Sequence, residues 1–267
     1  MILATANPLE LSLSLLAAAA YAWPALRARH VSLHSARTWV MVAWLLHGVV
    51  LGWSLLGEQP YFGFAPALSV TAWLVAAVYG VESQIFPQLQ TRWALCAIGA
   101  GAVLVALAFP GGPMAPNASV WLPIHLAFGV ACYGLFGTAV VHAWFMNRAE
   151  GRIRLAEDPH SGLPLLTLER LTYRFVIAGF VLLTATLMVG FLFGESLYGH
   201  GHAWKWNHKT VFSLLSWLTF AALLTGRIGF GWRGKRAVRM LYAGSIFLLL
   251  AYVGSRFVME IVLGRAP

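Results

Sequence analysis

Eight apolar runs constrain this chain more than any other feature. They lie near 9–26, 38–56, 64–82, 93–109, 120–146, 171–194, 209–229 and 238–263, each bounded by charge, proline or glycine. A membrane-crossing helix needs about 20 predominantly apolar residues, with roughly 17 as the lower end, and every run reaches that length. The expected fold is all-α: a polytopic membrane protein, a bundle of eight transmembrane helices forming one domain over 1–267. Composition agrees, since 60% of the residues are hydrophobic and 10% charged, against about 45–50% and about 25% in soluble domains. That balance excludes a soluble enzyme, a nucleic-acid module and a disordered chain.

The formal net charge of +9 is read as topology. Lys205, Lys209, Arg256 and Arg265 fall on one side of the spans, and the other fourteen of the 18 Lys and Arg fall on the opposite side. The positive-inside rule then puts the 147–170 and 227–239 loops in the cytoplasm and both termini in the periplasm. The first run has no basic segment before it and is followed by Arg27, Arg29 and Arg37, which fits a retained first helix rather than a cleaved signal. The basic loops are read as topogenic, with lipid and no nucleic acid as the charge partner.

Cys96 and Cys132 both lie in apolar runs, so the chain has no disulfide framework, no C-x-x-C pair and no C-x-x-C-H haem-attachment site. No phosphate-binding glycine loop, H-E-x-x-H or nucleophile elbow occurs. The longest loop, 147–170, reads as a connector, so function is expected within the bundle or on its outer face. Gly48-x-x-x-Gly52 and Gly190-x-x-x-Gly194 are close-packing signals between helices.

The histidines divide by position. His30, His34 and His160 fall in basic loops, where solvation explains them, and His142 is expected as an interfacial side chain near the cytoplasmic end of the fifth span. His47 lies about 15 Å along the second span at 1.5 Å per residue. An imidazole at that depth needs a partner, either as a ligand or proton relay or in an interhelical hydrogen bond. His125 opens the fifth span and His208 the seventh, both at the outer face. Two imidazoles from different helices at one level suit axial ligation of haem iron, although two unrelated interfacial histidines would show the same spacing.

Between the sixth and seventh spans the outer loop 195–209 holds His200, His202, Trp204, Trp206, His208 and Lys209. Tryptophan at an interface is ordinarily an anchor, a role that suits Trp23, Trp39, Trp93, Trp121 and Trp144. Trp204 and Trp206, two apart, would share a face in an extended loop and offer a flat apolar platform. Lys205 and Lys209 could pair with carboxylates such as porphyrin propionates. His200 and His202 could bind zinc or copper instead, but no further ligand stands at a suitable spacing.

This loop resembles the tryptophan-rich haem-handling motif W-G-x-x-W-x-W-D-P-K of the cytochrome c assembly family, which includes the CcsA, CcmC and HemX types. Gly201, Trp204, Trp206 and Lys209 match, while His200, Asn207 and His208 replace the first Trp, the Asp and the Pro. Gly231-Trp232-Arg233-Gly234 is similar to the family's cytoplasmic G-W-x-G loop, and Ala251-Tyr252-Val253-Gly254-Ser255 to the helix that follows it. His125 ahead of Tyr133 resembles the outer histidine before the family's core span, and Leu46-His47 its membrane histidine. The likeness is most specific from 165 to 263, toward the small YpjD-like inner-membrane branch.

The resemblance implies non-covalent, b-type haem held at the periplasmic face. His125 and His208 would be the axial pair, and His47, His200, His202, Trp204, Trp206 and Lys209 further haem-binding residues. The chain would act as an assembly factor for c-type cytochromes beside other assembly proteins or an apocytochrome, rather than as a complete haem lyase. The alternative is a membrane regulator or transport-associated scaffold that keeps the fold without haem.

Overall fold

The computed structural model describes residues 8–27, 33–57, 61–85, 92–113, 121–154, 165–194 and 206–264. Its long helices are α1 (Pro8–Leu26), α2 (Leu33–Leu56), α3 (Phe64–Ile85), α4 (Arg92–Ala108), α5 (Trp121–Arg154), α6 (Leu165–Leu192), α7 (His208–Phe230) and α8 (Gly234–Leu249). Beyond α8 the helix continues through a π-helical turn (Leu250–Gly254), one α turn (Ser255–Phe257) and a second π-helical turn (Val258–Val262). Strands β1 (Tyr61–Phe62) and β2 (Gly112–Pro113) pair antiparallel, Tyr61 opposite Pro113 and Phe62 opposite Gly112.

Each expected span coincides with a helix. Among the described residues seven helices are long and apolar enough to cross a membrane, and α4 is the one that falls short. At 17 residues it is about 25 Å long, less than the hydrocarbon core of about 30 Å. Helix α5, in contrast, runs on from the expected end at 146 to Arg154. An apolar run ends at the first charge, but a helix does not, and Ala149, Glu150 and the arginines of this stretch are good helix formers. His142 therefore lies well inside α5. It is 1% exposed and set edge-on against Phe175 at 5.4 Å, a buried residue and not the interfacial one expected.

The chain forms two compact units, residues 1–114 with 259–267, and residues 115–258. In the first, α1 packs on α2 and α4, and α3 on α4 and α2. Ala17, Ala18 and Ala20 of α1 and Ala43 of α2 form its core with Tyr21, Cys96 and Val103. Small residues let membrane helices approach closely, and a Cβ at Gly99 would stand only 3.0 Å from the Tyr21 ring. Trp44 and Trp73 stack at 4.7 Å, each indole N–H donating to the other's carbonyl, at 3.1 and 3.0 Å. Gly48 makes room for Trp73, whose Nε1 is 3.2 Å from its would-be Cβ, whereas a Cβ at Gly52 would meet nothing. Only the first glycine of that motif serves a contact. The end of the chain joins this unit at the strand pair, where a Cβ at Gly63 would meet the Glu260 carboxylate at 3.0 and 3.1 Å.

In the second unit α5 packs along α6, and α7 along α8. Its centre is a layered stack. Phe136 of α5 and Phe220 of α7 lie face to face at 3.8 Å. Gly179 of α6 lies behind Phe136, 3.0 Å from its would-be Cβ, and Gly244 of α8 behind Phe220, at 2.8 Å. Ser216 Oγ donates to the Gly244 carbonyl at 2.9 Å, and Trp217 Nε1 to Thr184 Oγ1 at 3.0 Å. On α6, Ile177, Val181, Met188, Phe191 and Leu192 are exposed, the surface expected of a helix facing lipid.

Candidate functional site

The start of α7 is defined by its cap. Asn207 has extended backbone, and its Oδ1 accepts from the Thr210 amide at 3.0 Å and the Thr210 hydroxyl at 3.1 Å, satisfying a first-turn donor. The cap fixes His208 as the first helical residue. Its Nε2 bonds Ser255 Oγ at 2.7 Å, and Ser255 is buried. One residue on, the Lys209 ammonium lies 6.0 Å from the Tyr252 ring, and the Arg256 guanidinium 5.8 Å from the same ring.

The backbone that presents Ser255 is unusual for a reason lodged on α5. The Tyr133 hydroxyl donates to the Leu248 carbonyl and accepts from the Tyr252 amide. In an α-helix those two backbone groups bond to each other, residue i to i−4. A side chain inserted into that ladder widens the turn, and the π-helical turn Leu250–Gly254 follows. Single π turns of this kind recur at functional sites. The chain beyond is turned by roughly 100° relative to a continuous α-helix, which brings Ser255 to His208.

His125 is the fifth residue of α5 and stands against α6. A Cβ at Gly190 would be 3.3 Å from its Cε1 and 3.8 Å from its Nδ1, and the Thr186 backbone lies close enough to interact with the ring. Its Nδ1 is buried and has no hydrogen-bond partner among the described residues. Among the described residues no contact joins His125 to His208; each is held by different neighbours within this unit.

His47 belongs to the first unit and is fully buried. Its Nδ1 is 3.4 Å from Tyr21 Oη of α1, and its Nε2 is 2.8 Å from Ser69 Oγ of α3. Both ring nitrogens are thus engaged, and ligation through either would break an interhelical hydrogen bond. His200, His202 and Trp204 lie outside the described residues. Trp206 is 74% exposed. Among the described residues no group of three or more His, Cys, Asp and Glu could hold a metal ion. Ser255 and Tyr252 were not singled out from sequence as site residues. Ser255 carried a signal nonetheless, as a hydroxyl in an apolar span that must find a partner.

The basic end of this unit is held by the glycine and tryptophan loop. Gly231 ends α7 with φ 62° and Gly234 opens α8 with φ 59°, both in the left-handed region that glycine adopts freely. Trp232 folds back so that its amide donates to the Gly226 carbonyl at 3.1 Å, and its ring covers Gly226, where a Cβ would collide with it. Arg236 lies over the Trp232 ring at 3.9 Å and Arg227 over Tyr173 at 3.7 Å. Arg227 also pairs with Glu169. In this chain the loop is a structural clasp.

A family model described as Cytochrome C assembly protein matches residues 9–263. Cytochrome c biogenesis protein CcsA of Prochlorococcus marinus subsp. pastoris is 25% identical over 227 residues, covering 80% of this chain and 68% of that protein. The Synechococcus sp. protein of the same name is 27% identical over 237 residues, 77% of each chain. Inner membrane protein YpjD of Escherichia coli (strain K12) is 36% identical over 99 residues, 37% of this chain and 36% of that protein. No solved structure matches.

Proposed function

Because the chain belongs to the cytochrome c assembly protein family, we propose that it assists cytochrome c assembly by holding haem non-covalently at the outer face of a bacterial inner membrane. In this reading the fold crosses the membrane eight times, α4 included, with both termini in the periplasm. Haem is cargo, so the chain's task is to grip and release it, and no covalent step is required of its residues.

The observation that carries this reading is His125. A buried imidazole nitrogen without a partner costs stability, and an external ligand at Nδ1 would remove that cost. His208 suits the second axial position. In the tautomer that donates from Nε2 to Ser255, the other nitrogen presents its lone pair, and ligating histidines are commonly oriented through such a bond. Lys209 and Arg256 supply positive charge for propionates, and Trp204 and Trp206 a platform for the porphyrin face. His200 and His202 are the nearest substitutes should either axial residue fail. His47, in the first unit, is available only if Tyr21 or Ser69 lets go.

The absorption spectrum of detergent-purified protein tests the proposal. A Soret band with low-spin bis-His character is expected, reduced in His125→Ala and in His208→Ala and unchanged in His160→Ala. A protein that stays colourless after haem is supplied would favour the scaffold alternative.

A further inference from the structure

We infer that the cleft between the basic ends of α5 and α8 is a binding site for a phosphate ester, a use independent of the haem reading. The cleft has a volume of about 480 Å³, with Asn147, Glu150 and Gly151 on the α5 side and Lys235, Arg239 and Tyr242 on the α8 side. That is the size range of small-molecule pockets, about 300–1,000 Å³.

Sequence spacing accounts for its walls. Residues 235, 239 and 242 follow the i, i+4, i+7 stripe of one helix face, and 147, 150 and 151 follow i, i+3, i+4 on the other helix. Polar and charged side chains from both helices thus line the cleft, together with the apolar surface of Val238. A hydrogen bond crosses between the two helices, Asn147 Nδ2 donating to the Tyr242 hydroxyl at 3.4 Å. Toward the helix ends Gly151 contributes no side chain, and among the described residues a Cβ there would meet nothing within 4 Å.

The charges select the ligand. Several cations at this end are already engaged: Arg227 with Glu169, Arg236 on Trp232, and Arg148 on Trp144 at 5.6 Å. Lys235 and Arg239 make no hydrogen bond, ion pair or ring contact among the described residues, and both line the cleft. With Glu150 the lining carries a formal charge of +1, the complement of a phosphodiester's single negative charge. An ammonium, a guanidinium and a phenol give the donors that phosphate oxygens accept. The cleft opens where two membrane-spanning helices run out, so the ester can come from a phospholipid headgroup or from a soluble molecule.

The two sources separate in one experiment. Full-length protein, stripped of lipid in a neutral detergent, is titrated with dioctanoyl phosphatidylglycerol, its deacylated phosphodiester glycerophosphoglycerol and uncharged dioctanoylglycerol, and bound molecules are counted by native mass spectrometry. One saturable phosphatidylglycerol per chain is expected, with none of the uncharged lipid. Its dissociation constant should rise about tenfold in K235Q/R239Q, as for the loss of hydrogen bonds to a charged partner. It should change less than twofold in R170Q/R174Q, which removes equal charge from exposed positions on α6 outside the cleft. G151L keeps every charge and narrows the cleft, and it too should weaken binding; it decides the matter if the double variant does not fold. Equal affinity for glycerophosphoglycerol assigns the site to soluble esters, and binding of the lipid alone assigns it to the membrane. Unchanged affinity in K235Q/R239Q or G151L, an equal loss in R170Q/R174Q, or no saturable binding of either phosphate compound overturns the inference.

Discussion

The hydroxyl of Tyr133 occupies the Leu248 carbonyl that an uninterrupted helix would give to the amide four residues on. A residue on α5 thereby sets the local helix type of the segment that carries Ser255, the partner of His208.

Tyr133→Phe removes the inserted group, and the Leu248 carbonyl and Tyr252 amide can then bond each other. The π turn should close to an α turn and swing Ser255 away from His208. We expect a loss of about 1 kcal/mol in stability, the usual net worth of a hydrogen bond. Faster modification of His208 by diethyl pyrocarbonate should accompany it. Ser255→Ala should speed that modification with Tyr133 intact. Unchanged reactivity in both variants would show that Ser255 does not hold the ring.

Gly244→Ala places a methyl 2.8 Å from the Phe220 ring, and overpacking of this kind costs about 1–3 kcal/mol. Phe220→Leu in the same chain should recover part of the loss. A double-mutant cycle of unfolding free energies reads the coupling, and strict additivity would contradict the layered stack.

Hydrogen bonds between membrane helices are worth about 0.6 kcal/mol on average, and His47 makes two, to different helices. His47→Ala should therefore cost about 1 kcal/mol or more, and Ser69→Ala less. The double variant should cost little more than His47→Ala alone. Unfolding measured in mixed micelles checks the ordering.

Trp206 is mostly exposed, so replacing it with Ala should leave the thermal midpoint nearly unchanged. If it stacks on porphyrin, haem affinity should fall about threefold to tenfold, the equivalent of about 0.5–1.5 kcal/mol for an aromatic contact. Phe should restore most of it. A haem-to-protein ratio that stays constant across the Ala and Phe variants would remove Trp206 from the site.

A reporter fused after Pro267 tests the topology. Periplasmic activity is expected from the asymmetry of Lys and Arg. Cytoplasmic activity would fit seven crossings, with α4 failing to span.

Much of this architecture was legible in the sequence because bilayer physics leaves few choices for long apolar runs. Helix extents were less so: α5 continues through 147–154, past the end of its apolar run, and His142 is buried rather than at the edge expected for it. Asn207 reads in sequence as a departure from an aspartate, yet an amide oxygen caps a helix as a carboxylate does. The setting of Ser255 was not legible, since the π turn beside it depends on a hydroxyl 115 residues away from Leu248. No local pattern encodes a contact at that separation. For the same reason Gly48 and Gly52, alike in sequence, differ in use once Trp73 packs on one of them.

The glycine, phenylalanine, phenylalanine, glycine sequence through α6, α5, α7 and α8 restricts how the second unit can move. Each ring fits only where its glycine stands, so sliding one helix along its neighbour by a turn, about 5.4 Å, would drive Phe136 or Phe220 into a position that bears a side chain. Piston-like displacement is blocked, while tilting and rolling about the stacked rings leave the pairing intact.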